Sequence, residues 1–214
     1  MTWLANNSSQ IIDLFGRHAA IALPVIVIAI VLSVPIGWVA SRKKRLGEPL
    51  VSGLELLYAI PSLALFVLIP AIFGVGLRSY ANIVIVLAVY GVAVLVRSCA
   101  KAFESVPSDV TDAADACGFS AWRRFWAVDL PLSLPVCISG IRVMAVSTIS
   151  LVTVGSVIGI QSLGTLFTDG FQRGIMEEVA IGLILTVAFA LVVDGAIMMI
   201  GKLLMPWTRR TRCS

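Results

Sequence analysis

Long apolar runs alternate with short polar stretches along this chain, and each run is about as long as a helix must be to cross some 30 Å of hydrocarbon. Residues 19–41 carry no charge, and Pro24 and Pro35 within them predict kinks that neighbouring helices must accommodate. Residues 56–75 form a second run, broken by Pro61 and Pro70 and closing in Gly74-Val75-Gly76, so a straight helix is not expected there. Residues 80–96 form a third. Residues 143–167 form a fourth, whose Ser147, Ser150, Gly155, Ser156 and Gly159 permit close helix approach in lipid. Residues 179–201 form a fifth. Ahead of them all, Ile11, Ile12, Leu14 and Phe15 predict a short helix lying on the membrane surface and ended by Arg17 and His18. The expected fold is an all-α integral membrane helical bundle of five transmembrane helices, one domain over residues 1–214 with no internal repeat and no linker.

Charge orients this bundle. Arg42-Lys43-Lys44-Arg45 follows the first run at once and marks the cytoplasmic side, which puts the N-terminus outside. On this scheme only Arg17, Arg78 and Arg173 of the 16 Lys and Arg residues fall outside, and the other 13 face the cytoplasm, with the C-terminus inside. A hydrophobic content of 59 % and a mean hydropathy of +1.00 exclude a soluble domain. They also remove the nucleic-acid reading that a net charge of +4 would otherwise invite. The first apolar run follows a polar stretch and has no basic start, so it reads as a span and not as a removable signal. Cys99, Cys117, Cys137 and Cys213 lack metal-ligand spacing and are expected as reduced cytoplasmic thiols.

The longest polar interruption, within a cytoplasmic loop of residues 105–135, reads as two short helices. Ser108 is expected to cap the first, with Asp109 and Asp112 in its first turn, where carboxylates suit the helix dipole. Gly118 ends it. Ser120 is expected to cap a second helix in which Trp122, Phe125 and Trp126 share one face, and Leu130-Pro131 is expected to close the segment. Helices this short are marginal in water, so the aromatic face must pack against something.

Ala113-Ala114, Gly118, Val128-x-Leu130-Pro131 and Pro135 resemble the EAA loop of ATP-binding-cassette importer permeases, with Asp112 where that family usually has Glu and Val128 where it usually has Ile. The resemblance implies that Asp112, Ala113, Ala114, Gly118, Phe119, Ser120, Trp122 and Phe125 couple the permease to a cytoplasmic ATPase in whose groove the loop sits. Ile60-Pro61-Ser62-Leu63-Ala64-Leu65, Leu68-Ile69-Pro70, Gly74-Val75-Gly76, Gly140-Ile141-Arg142 and Leu163-Gly164 further resemble permeases for quaternary-ammonium osmoprotectants such as glycine betaine, choline and carnitine. What this implies is a type I importer in the cell membrane. It would have two permease subunits, identical or homologous, two ATPase subunits, and a separate extracytoplasmic solute-binding protein. A permease for another small solute, such as an amino acid, is the nearest alternative. A stand-alone channel or ion-coupled transporter is the rival from another class, but it would not need the helix pair.

No catalytic residue, cofactor site or metal site is visible. His18 stands apart from any Cys or carboxylate cluster and reads as a solvated or interfacial side chain, and no glycine loop for phosphate is present, so ATP must be bound by a partner. Asp194, the one acid well inside a span, is a candidate for the translocation pathway or for a structural bond, with Arg142 or Arg97 as the partner. Pro61 and Ser62 are pathway candidates because a helix break there could line the route. The spacing of the few membrane aromatics forms no cage for a quaternary ammonium group.

Overall fold

The computed structural model describes residues 7–207, without the side chains of Lys44 and Leu46; Arg209, Arg210, Arg212 and Cys213 lie outside the described residues. Every regular element among them is helical: α1 (Ser8–Arg42), α2 (Lys44–Tyr58), α3 (Ser62–Phe73), α4 (Tyr80–Glu104), α5 (Ser108–Ala116), α6 (Ala121–Arg124), a π turn (Phe125–Asp129), α7 (Leu130–Val154), a 3-10 turn (Gly155–Ile158), α8 (Gly164–Arg173) and α9 (Met176–Leu204). Four of these stretches are long and apolar enough to cross a membrane, and a fifth is reached if the bent α2–α3 pair makes one crossing.

The expected surface helix at the N-terminus does not exist as a separate element, because α1 runs unbroken through Arg17 and His18. Ile11, Leu14, His18, Ile21 and Val25 recur every three or four residues and are all buried. The amphipathic pattern is thus the core stripe of a long helix and not the lipid-facing stripe of a surface one. His18 is correspondingly buried and not solvated, with its ring edge-on to Phe189 at 5.6 Å.

The expected second span is divided between two helices that meet at 105°. Pro61 (φ −56°, ψ 131°) cannot continue α2, and it pushes the residue before it out of helical conformation. The Ile60 carbonyl left over at this corner accepts the Tyr90 hydroxyl from α4. The third span continues to Glu104 and is capped by Ser79, whose hydroxyl accepts the Asn82 amide at 3.2 Å.

The fourth span starts 22 residues earlier than expected and ends nine residues earlier, at Ile158. It begins in α6 and ends at the 3-10 turn, after which Gly159 is left-handed and α8 follows as a separate helix packed on α9. Leu130-Pro131 does not close the preceding segment. The π turn widens the helix over Ala127, whose carbonyl the Pro131 ring would otherwise meet, and the helix passes through. The fifth span is α9, longer than expected at both ends.

At the centre of the bundle α4 packs on α1, α2, α3 and α7. Close approach depends on absent side chains: a Cβ on Gly37 would lie 2.6 Å from Cys99 Cβ, and one on Gly140 would lie 2.5 Å from Ser98 Cβ. Val25, Leu87, Leu95, Met144 and Ile149 fill the space between these helices. Cys99 and Cys137 are buried free thiols in it, whereas Cys117 is free and exposed.

Candidate functional site: the loop between α4 and α7

The chain leaves α4 at Glu104, and Pro107, not Ser108, stands at the N-cap of α5. Ser108 makes no capping bond; its carbonyl instead accepts the Thr111 hydroxyl at 2.8 Å. Only Asp109 lies in the first turn, and Asp112 falls a turn later. The helix ends as the sequence implies, with Gly118 at φ +79°. The Gly118 amide donates to the Asp115 carbonyl at 3.0 Å and the Phe119 amide to the Ala114 carbonyl at 3.1 Å, the double closure that a left-handed residue after a helix permits. Ser120 then caps α6 by accepting the Arg123 amide at 3.3 Å, and the Arg123 guanidinium lies 4.6 Å above the Phe119 ring.

The two helices present different surfaces. Asp112, Ala113, Gly118 and Ser120 are exposed, Phe119 is half-buried, and Ala114 is buried against the rest of the loop. Of the aromatic face only Phe125 turns inward. Phe125 is 5 % exposed, within 5.1 Å of the Trp38 ring on α1 and 6.0 Å of Phe103 on α4. Trp122 and Trp126 stay exposed and border an apolar groove of about 690 Å³ whose floor includes Val34, Leu134, Ile138 and Ile197. Phe125 therefore packs the loop against its own bundle, on Trp38 and Phe103.

A polar cluster behind the loop escaped the sequence reading. Asp129 is 1 % exposed, and its carboxylate accepts the Trp38 indole N–H at 2.9 Å and the Arg42 guanidinium at 2.6 Å, both from α1. Arg124 lies 3.6 Å from the same carboxylate and also pairs with Asp115 on α5. A buried carboxylate is tolerated only when cations and donors surround it, so Asp129 fixes where α5 and α6 sit relative to the end of α1. One signal was present: a lone acid among Trp126, Val128 and Leu130 needs a partner. The partner's identity was not legible at a separation of 87 residues.

Of the pathway candidates, Asp194 forms a two-point ion pair with Arg142, 2.7 Å at each oxygen, joining α9 to α7. Arg97, the other partner considered, pairs with Glu55. Pro61 and Ser62 lie at the α2–α3 corner beside Tyr90. The fold thus assigns Asp194 and the Pro61-Ser62 pair to different helix contacts. It also brings together two aromatics the spacing had kept apart, Tyr58 and Tyr90, edge to face at 5.7 Å.

Comparison with known proteins gives the class of this helical membrane bundle. Residues 29–210 match the family described as binding-protein-dependent transport system inner membrane component, and the chain belongs to that family. It is similar to the osmoprotectant import permease protein OsmW of Salmonella typhimurium, at 28 % identity over 90 % of each chain. It is also similar to the choline transport system permease protein OpuBD of Bacillus subtilis, at 29 % identity over 98 % of this chain and 88 % of that one. The fold matches a chain of the MetNI methionine transporter in an inward-facing conformation, with a TM-score of 0.80, 18 % identity, and coverage of 95 % of this chain and 97 % of that one.

Proposed function

We propose that this chain is the permease subunit of an ATP-binding-cassette importer for small quaternary-ammonium osmoprotectants, such as glycine betaine, choline or carnitine. The observation that carries the reading is the loop itself. A helix closed by Gly118 leaves Asp112, Ala113 and Ser120 exposed, while Asp129 and Phe125 fasten the same loop to α1 and α4. Such a loop can transmit a push, because whatever moves its outer face must also move α1.

In this reading the loop, with Asp112, Ala113, Ala114, Gly118, Phe119 and Ser120 at or near its surface, docks on one of two cytoplasmic ATPase subunits. Phe125 acts as a positioning residue. Trp122 and Trp126 border the groove toward the bundle. The α2–α3 pair counts as one crossing, so five spans run with the N-terminus outside and the C-terminus in the cytoplasm of a cell-membrane protein, in agreement with the placement of basic residues. A second permease subunit completes the passage, and an extracytoplasmic binding protein delivers solute to it. Pro61, Ser62 and Asp194 line or brace that passage.

The test is reconstitution in proteoliposomes with the ATPase and the binding protein. ATP-dependent accumulation of labelled glycine betaine or choline is expected. Accumulation without ATP, or of an amino acid in place of these solutes, contradicts the assignment.

A further inference from the structure

A cavity of about 230 Å³ lies between the C-terminal end of α2 and α4, lined in part by Glu55, Tyr58, Arg97, Ser98 and Lys101. That volume is below the roughly 300–1,000 Å³ of sites for drug-sized ligands, and it suits a small solute. A second cavity of about 400 Å³, toward Glu48 and Glu104, shares Arg97 and Lys101 with it, so the two form one polar cleft between α2 and α4.

In the smaller cavity the charges divide between the helices, whereas the larger one adds a carboxylate from each, Glu48 on α2 and Glu104 on α4. Glu55 and Tyr58, three residues apart on α2, bring a carboxylate and a ring that is 52 % exposed. Arg97 and Lys101, four residues apart on α4, bring two cations. Glu55 and Arg97 pair across the cleft, whereas Lys101 makes no ion pair among the described residues. Tyr90 stands edge-on to the Tyr58 ring and is itself held by the Ile60 carbonyl at the helix break. The aromatic surface is thus fixed by the same corner that interrupts the span.

A molecule with a carboxylate at one end and a quaternary ammonium at the other can enter the Glu55–Arg97 pair with both charges matched. We propose that this cleft is a transient binding site on the route of a small zwitterionic quaternary-ammonium solute, with its carboxylate received by Arg97 and Lys101 and its cationic end lying against the Tyr58 ring and the Glu55 carboxylate. This rests on the osmoprotectant reading and adds to it a place inside the permease where the solute's two ends are told apart. A trimethylammonium group donates no hydrogen bond, so a ring face and a carboxylate at short range are the contacts open to it. The carboxylate end prefers the guanidinium and ammonium of α4.

The experiment uses the assembled complex in proteoliposomes with saturating binding protein, and measures uptake of glycine betaine, which has a carboxylate, and choline, which has none. Tyr58→Ala should slow uptake of both by about two- to fivefold, the range for a partly exposed cation–ring contact, and Tyr58→Phe should restore it. Lys101→Met should slow glycine betaine while leaving choline unchanged. Co-purification of the ATPase with each variant establishes that the complex is assembled. Full uptake by Tyr58→Ala, or equal losses for both solutes in Lys101→Met, overturns the site. Failure of the unaltered complex to import either solute instead overturns the osmoprotectant reading on which the site depends.

Discussion

Arg42, the last residue of α1, donates at 2.6 Å to the buried carboxylate of Asp129 at the end of the π turn. Through this bond the helix pair and the first membrane helix meet in one polar cluster with Trp38, Arg124 and Asp115. Removing the carboxylate strands a half-buried guanidinium. Asp129→Ala should cost about 3 kcal/mol, at the lower end for a broken buried pair because Arg42 keeps some hydration. Arg42→Met combined with Asp129→Leu should cost clearly less than the sum of the two single changes. Thermal unfolding of the four proteins in detergent checks the cycle, and additive losses would show that the pair is not coupled.

Asp194 on α9 and Arg142 on α7 form a two-point ion pair, and both are partly exposed. Asp194→Asn keeps the shape and one acceptor for the guanidinium, so uptake should stay near that of the unaltered complex. Asp194→Leu should lower the amount of folded protein. Loss of uptake by Asp194→Asn in a complex that still assembles would instead make the carboxylate part of the passage.

Gly37 packs where a Cβ would lie 2.6 Å from Cys99 Cβ and 2.9 Å from the Ala100 backbone nitrogen. Backbone cannot rotate away as a side chain can, so Gly37→Ala should separate α1 from α4 and cost roughly 1–3 kcal/mol. The reduced melting temperature should come with raised reactivity of Cys99, which is otherwise buried. Unchanged melting would mean that the two helices are further apart than the close approach requires.

The orientation predicts which thiols are reached from which side. Cysteine at Ser79, between α3 and α4, should react with impermeant reagents from outside, and cysteine at Ser41 only from the cytoplasm. The reverse pattern would invert the bundle.

Apolar length and charge made the helical membrane class legible, and two local signals in the loop were legible as well: Gly118 adopts the left-handed turn and Ser120 caps the helix after it. Boundaries set by packing were not. The stripe through Ile11, Leu14 and His18 looks the same in sequence whether it meets lipid or a helix such as α9, which supplies Phe189. Pro131 reads as a terminator, yet a π turn one step earlier lets the helix pass. Pro61 announced a break without giving the angle, and the meeting of Asp129 with Trp38 spans 91 residues that local pattern cannot bridge.

Coupling of this loop to an ATPase subunit is tested most directly at Gly118. Its φ of +79° is disfavoured for any residue with a Cβ, while no atom lies within 4 Å of where that Cβ would stand. The effect of a substitution is therefore conformational and not a clash. Gly118→Ala should strain the turn by about 1 kcal/mol and Gly118→Val by more, altering the angle between α5 and α6 without changing any residue of a membrane span. The decisive measurement is solute-stimulated ATP hydrolysis, together with uptake, by reconstituted Gly118→Val complex. Normal membrane insertion is expected, with hydrolysis no longer responsive to solute, or the ATPase no longer bound, and with Gly118→Ala between this variant and the unaltered complex. Full uptake and solute-stimulated hydrolysis by Gly118→Val would contradict the coupling.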